Sequence, residues 1–288
     1  MRKRILNVEG YSIEILESTG SGEPLVLFHG NSSAANIFQP LLDSVLGRSR
    51  RLIAVSLPGH GGSSAFAPSA DSCSIEGLGV LAAKIVAALG YPAFWLLGQS
   101  LGGHAIMESI ENFTGARGIV LVSAPPMSTP TLAEVFRPDP SDGLLFKGVL
   151  TEQEVVKLAS CFLQHDNAVN RKIVEDNIRR TDLKFRHALG NGLKGGQLRD
   201  ELAAIMASSC PIALLAGSED KFLRNEFYGT LSNSRFWKRQ VIWFEGCGHA
   251  LNLENHPLFE KTIAEFIGAI PMSEQSARVS PELVSLIS

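Results

Sequence analysis

The chain has 288 residues, 45% of them hydrophobic and 19% charged, with a formal net charge of −3. That length supports one large domain, or a core domain with a smaller insertion. The near-neutral charge supplies no strong electrostatic field that would favour nucleic acid. Four well-separated cysteines (Cys73, Cys161, Cys210, Cys247) without a C-x-x-C argue for free thiols in a reducing compartment rather than a disulfide framework.

Met1-Arg2-Lys3-Arg4 has the charge of a signal-peptide start, but Ile5-Leu6-Asn7-Val8-Glu9-Gly10 is no continuous apolar stretch, so that reading fails. Tyr11 to Leu16 alternates in character, as a half-exposed antiparallel strand does. Short, nearly all-apolar runs follow at Pro24 to Phe28, Leu52 to Val55, Ala93 to Leu97, Gly118 to Val122, Pro211 to Ala216 and Gln240 to Phe244. Runs of this kind read as parallel strands buried on both faces. Helix-length stretches separate most of them. Asp71 to Leu89 is one, with Asp71 or Ser72 to cap it and Gly90 and Pro92 to stop it. Leu101 to Asn112 and Leu258 to Ile270 are others. The most apolar part, Ile75 to Leu89, holds Glu76 and Lys84 and is too short to span a bilayer. A soluble, cytoplasmic protein without a membrane partner is expected.

Alternating strands and helices predict an α/β fold with a parallel sheet covered on both faces. The alternation breaks between Val122 and Pro211. Val149 to Leu163, Ala168 to Arg180, Leu183 to Leu189 and Gln197 to Ala207 all read as helices. A Pro-rich loop (Pro125, Pro126, Pro130, Pro138, Pro140) opens this stretch, and Gly190, Gly192, Gly195 and Gly196 interrupt it near its end. The expected division is a core of residues 1–124 and 209–288, with 125–208 as a helical lid. The glycines read as helix caps and a turn, with a lid hinge as the alternative. Arg171, Lys172, Arg179, Arg180, Lys184 and Arg186 read as a solvated helix face in preference to an anion site. The polar tail after Pro271 has room for one short helix.

Gly98-Gln99-Ser100-Leu101-Gly102 matches G-x-S-x-G, a sharp strand-to-helix turn that exposes the serine hydroxyl. Chance supplies such a pentapeptide in about one chain in ten of this length. Its setting, after an apolar strand and before a helix, is what the motif requires. His29-Gly30-Asn31 ends the strand Pro24 to Phe28. The loop at that place contributes one oxyanion-hole N–H, and the residue after the nucleophile contributes the other, here Asn31 and Leu101. Each such donor is worth about 3 kcal/mol in the transition state. The acid is sought after the strand Pro211 to Ala216, where Asp220 is preferred and Glu219 is the alternative. His249, in Gly246-Cys247-Gly248-His249, is the expected base, completing the chain order Ser, Asp, His. His29 and His60 read as structural hydrogen-bonding residues, and His104, His165, His187 and His256 as poorer candidates. No H-E-x-x-H or similar spacing is present, so neither metal nor other cofactor is expected.

Together with Leu57-Pro58-Gly59-His60-Gly61, these motifs resemble the α/β-hydrolase superfamily over residues 10 to 270. A narrower set resembles the metal-independent N-acyl-homoserine lactonases of that fold, which are quorum-quenching enzymes. It comprises His29 to Ser33, Ser100 to His104, Pro125-Pro126, Gly195-Gly196-Gln197 and Arg199-Asp200. The resemblance implies a small helical lid and a pocket for an acyl chain. The chain departs from that family in three places. Gln99 stands where Trp precedes the nucleophile, the region around Leu158 has no lid tyrosine, and the acid is Asp220 in place of Glu.

The expected function is hydrolysis of a small-molecule acyl ester through an acyl-enzyme, with lactone opening of N-acyl-homoserine lactones foremost. The alternatives are a general carboxylesterase, an acylase or amidase on the same lactones, and a non-catalytic receptor on this scaffold. A serine at position 100 argues against the epoxide hydrolases and haloalkane dehalogenases of the fold, which place a carboxylate there.

Overall fold

The computed structural model describes residues 1–67, 73–165, 167–196, 198–231 and 235–270. Eight strands form one sheet: β1 (Arg2–Val8), β2 (Tyr11–Glu17), β3 (Ser21–Phe28), β4 (Arg50–Val55), β5 (Phe94–Gln99), β6 (Ala116–Val122), β7 (Ile212–Gly217) and β8 (Ile242–Phe244). Their order is β1-β2-β4-β3-β5-β6-β7-β8. β1 and β2 pair antiparallel with each other, and β2 with β4. Every pairing from β4 to β8 is parallel.

The apolar runs build this sheet because both faces are covered. β5 and β7 are buried at every residue. Side chains alternate between faces, so Leu96, Leu121 and Leu214 join one core while Leu97, Val120 and Leu215 join the other. Ile75, Leu78 and Ile85 of the helix Ile75–Leu89 close the first core, and Phe259, Ile263 and Phe266 of the helix His256–Ala269 close the second.

Several elements differ from expectation. Strand β1 is additional. Most of its side chains are solvent-facing, which hides the usual alternation, and it is held by a two-residue hairpin at Glu9 (φ 51°) and Gly10 (φ 80°). Its charges suit a sheet edge, and Lys3 pairs with Glu14 at 2.5 Å. The proposed caps Asp71 and Ser72 lie outside the described residues, as does the tail after 270. Ser74 caps the helix instead, accepting the Gly77 N–H at 2.9 Å. The elbow helix stops at Glu108 and is followed by a single tight turn, Ile110–Asn112.

Between β6 and β7 the chain forms Glu152–Phe162, Ala168–Arg180, Leu183–Gly195 and Glu201–Ala207. The helix expected to end at Leu189 runs on through Gly190 and Gly192, so these two are neither hinge nor cap. Gly192 is required by contact: a Cβ there would lie 2.1 Å from the Cys73 carbonyl oxygen. Gly196 does serve as the cap. The last helix starts at Glu201, with the Asp200 side chain accepting the Ala203 N–H; Gln197 lies outside the described residues. The basic residues divide. Arg179 pairs with Glu152, Glu175 and Asp176 on the surface. Arg186 is buried and donates to the carbonyls of Lys147, Gly148 and Ile178. All four cysteines are buried thiols outside any disulfide. Among the described residues, no helix is long and apolar enough to cross a membrane.

Candidate active site

The carboxyl ends of β3, β5, β7 and β8 meet at one edge of the sheet, and the singled-out residues lie just beyond them. β5 ends at Gln99, and Ser100 turns the chain into the elbow helix with φ 50° and ψ −120°. A non-glycine residue held there stores about 1–3 kcal/mol of strain. The turn closes because the backbone is bare around it. A Cβ on Gly98 would lie 2.5 Å from the Gly103 Cα, and one on Gly102 would lie 2.5 Å from the Phe28 carbonyl oxygen. Leu101 opens the helix, where N–H groups have no partner within the helix and carry partial positive charge.

The loop after β3 touches Ser100: a Cβ on Gly30 would lie 3.0 Å from the Ser100 Cβ. Asn31 lines the same cavity as Ser100 and Leu101, and its side chain donates to the Leu145 carbonyl at 2.9 Å. His29 is fully enclosed. It donates through Nδ1 to the Gly30 carbonyl at 2.7 Å and accepts the Leu57 N–H on Nε2 at 3.0 Å. This ring ties the loops after β3 and β4 together. Burial pushes its pKa down to about 4, and the same cause holds His60 well below the usual histidine range.

Asp220 follows β7 by a short turn and is buried. Its Oδ2 lies 2.7 Å from His249 Nδ1. Its Oδ1 accepts the N–H groups of Phe222 at 2.9 Å and Leu223 at 3.3 Å. A carboxylate satisfied in this way is fixed in position before any substrate arrives. The neighbouring Glu219 is exposed. His249 sits on the loop after β8, its ring against Phe222 at 5.2 Å and Phe162 at 5.7 Å. Two residues with no earlier role hold that loop: Ser123 Oγ and Gln99 Nε2 both donate to the His249 carbonyl, at 3.0 and 3.4 Å. Gln99 thus anchors the His249 loop from the position next to Ser100.

Ser100 and His249 share the wall of a cavity of about 640 Å³, largely apolar and walled on the insertion side by Phe162, Leu189 and Leu193. A separate void of about 20 Å³ touches Asn31, Ser100 and His249, room for one water molecule. The structure also brings in a pair that local sequence does not reveal. His104 Nδ1 lies 3.0 Å from Glu201 Oε2, although the two are 97 residues apart. His165 and His187 are exposed, and His256 pairs loosely with Glu260 at 3.8 Å.

Residues 25–261 match the alpha/beta hydrolase family. Among solved structures, the N-acyl homoserine lactonase AidH complexed with N-butanoyl homoserine superposes with a TM-score of 0.84 at 27% identity, covering 93% of this chain and 96% of that one. Over 112 residues the chain is 33% identical to the pimeloyl-(acyl-carrier protein) methyl ester esterase of Xylella fastidiosa strain 9a5c, which covers 38% of this chain and 40% of that protein. Over 103 residues it is 35% identical to the 2-succinyl-6-hydroxy-2,4-cyclohexadiene-1-carboxylate synthase of Escherichia coli O7:K1, covering 35% and 38% of the two chains. These alignments span less than half the length of the curated relatives.

Proposed function

This chain belongs to the alpha/beta hydrolase family, and we propose that it is a carboxylic ester hydrolase acting through Ser100, His249 and Asp220. The observation that carries the reading is the 2.7 Å contact between Asp220 and His249, on the cavity that also holds Ser100 at its strained elbow. His249 takes the Ser100 proton as the hydroxyl attacks the carbonyl. Asp220 holds the imidazole tautomer and stabilises the imidazolium. The N–H groups of Asn31 and Leu101 receive the developing oxyanion. His249 then returns the proton to the leaving oxygen. A water, for which the void beside Asn31, Ser100 and His249 is large enough, attacks the acyl-enzyme with His249 again as base.

The proposed substrate is an N-acyl-homoserine lactone. Opening a lactone leaves the alcohol attached to the acyl-enzyme, and water releases a single ring-opened acid. The apolar cavity of about 640 Å³ has the volume for the acyl chain, and the lactonase AidH is similar over nearly the whole chain. Residues 125–208 act as a lid over a core formed by 1–124 and 209–288. A second reading, hydrolysis of an open-chain ester, draws on the similarity to the methyl ester esterase. A panel of acyl-homoserine lactones and alkyl esters read by mass tests both. Lactone opening adds one water and leaves one product, open-chain ester cleavage releases an alcohol, and amide cleavage of the lactones leaves two products. Turnover of esters without any lactone opening overturns the lactonase reading.

A further inference from the structure

The cavity carries a second histidine–carboxylate pair that ester hydrolysis, as described, does not use. His104 lies one helical turn beyond Ser100, and helical side chains lean toward the N-terminus. Its ring is therefore carried back toward the nucleophile. It is buried and lines the same cavity as Ser100 and His249. Its Nδ1 is 3.0 Å from both carboxylate oxygens of Glu201, a residue with 0% exposure.

A carboxylate this deep is tolerated only when donors fill its lone pairs. Glu201 has two: the Met127 N–H, at 2.8 Å from Oε2, and the His104 ring. That demand places the ring proton on Nδ1. In the neutral ring, Nε2 is then an acceptor on a residue that lines the cavity together with Leu101, Met127, Leu189 and Leu193. A ligand that covers this acceptor without donating to it leaves a buried polar atom unpaired.

We propose that His104 is a specificity-determining residue whose Nε2 accepts a hydrogen bond from an N–H on the acyl side of the substrate. The N–H must lie within a few bonds of the scissile carbonyl, because His104 is one turn from Ser100. An N-acyl-α-amino ester or lactone carries an amide N–H two bonds from that carbonyl carbon, whereas a simple alkyl ester or unsubstituted lactone carries none. Glu201 is the positioning residue that fixes the tautomer. The inference rests on the ester-hydrolase reading and deepens it by naming the residue that recognises the substrate's secondary amide.

The test compares two lactones with the full-length protein: N-hexanoyl-homoserine lactone and an α-hexyl-γ-butyrolactone that lacks the amide. His104→Asn keeps a nitrogen near the Nδ1 position for Glu201 and removes the edge facing the cavity. His104→Gln places a polar group near Nε2. The expected result is that the wild type prefers the amide lactone in kcat/KM. His104→Asn should reduce that preference about tenfold, chiefly through KM, the size of one lost hydrogen bond. His104→Gln should retain most of it. A purely structural tie predicts that the preference is unchanged in both variants, whatever the loss of total activity or thermal stability, and that result overturns the proposal. A wild type that opens both lactones without preference also overturns it, while leaving the lactonase reading in place. A wild type that cleaves p-nitrophenyl butyrate but opens neither lactone defeats both.

Discussion

Two carboxylate-backed histidines face one cavity, His249 with Asp220 and His104 with Glu201, and their local chemistry is nearly the same. In each, Nδ1 lies within hydrogen-bond reach of a buried carboxylate that also accepts backbone N–H, two for Asp220 and one for Glu201. Their mountings differ. His249 stands on a loop beyond β8 and Asp220 on the turn after β7, so both members belong to the edge of the sheet where Ser100 is delivered. His104 is built into the elbow helix itself, and its carboxylate comes from the last helix before β7. Burial raises the Glu201 carboxyl pKa, while its contact with His104 acts in the opposite direction. A histidine–carboxylate pair therefore has no role by itself. The role follows from where the second ring nitrogen is held.

The largest effect is expected from removing the hydroxyl on the cavity that both histidines line. Ser100→Ala should lower ester turnover by about 10⁴-fold or more with an unchanged thermal transition. A chromogenic-ester burst assay close to wild type would remove Ser100 from the mechanism, and a burst in the wild type excludes a non-catalytic receptor. Next, Asp220→Asn should cost on the order of 10⁴-fold in kcat by disturbing the tautomer of His249. Glu219→Gln, at an exposed site, should change it less than about twofold; the reverse ranking transfers the acid to Glu219. His249→Gln removes the base through which Asp220 acts and should cost at least as much as Asp220→Asn, about 10⁴-fold or more in kcat. If His104→Asn costs more on the same ester, the base has been assigned to the wrong pair.

A third histidine sharpens the contrast through stability. His29 is buried without a contacting carboxylate, and its pKa falls to about 4. The unfolded chain binds a proton near pH 6.5, so the unfolded state holds more protons than the folded one between the two values. Stability should therefore decline as pH drops from 6.5 to 4, by about 3 kcal/mol from His29. His60 shifts in the same direction and adds to this. Urea unfolding at a series of pH values measures the slope. A flat profile would mean that these rings are already paired with negative charge.

Much of the sheet was legible because its signals are local. Continuous apolar runs mark β3 through β7, and G-x-S-x-G between a strand and a helix marks the elbow. β1 escaped because an edge strand with mostly exposed side chains shows no burial pattern. Gly190 and Gly192 suggested breaks, since glycine is a poor helix former. The helix nevertheless continues through both, and position 192 is glycine because it passes close to the Cys73 backbone, a requirement set by a segment more than a hundred positions away. Gln99 read as the variable position of a motif and as a departure from the lactonase pattern, neither of which shows that its side chain anchors the His249 loop.

The amino-acid sequence alone determined the order of strands and helices, the elbow at Ser100, and which residues would follow which strand ends. These depend on patterns within a few residues of one another, where backbone sterics and side-chain periodicity act. Only the tertiary structure decided that Asp220 and not Glu219 faces His249, and that Glu201 reaches back to His104. Adjacent carboxylates are alike in sequence and are separated only by which side of the turn is buried. A pair 97 residues apart has no local signature, because the cost of burying its charge is met by donors that only folding brings within reach.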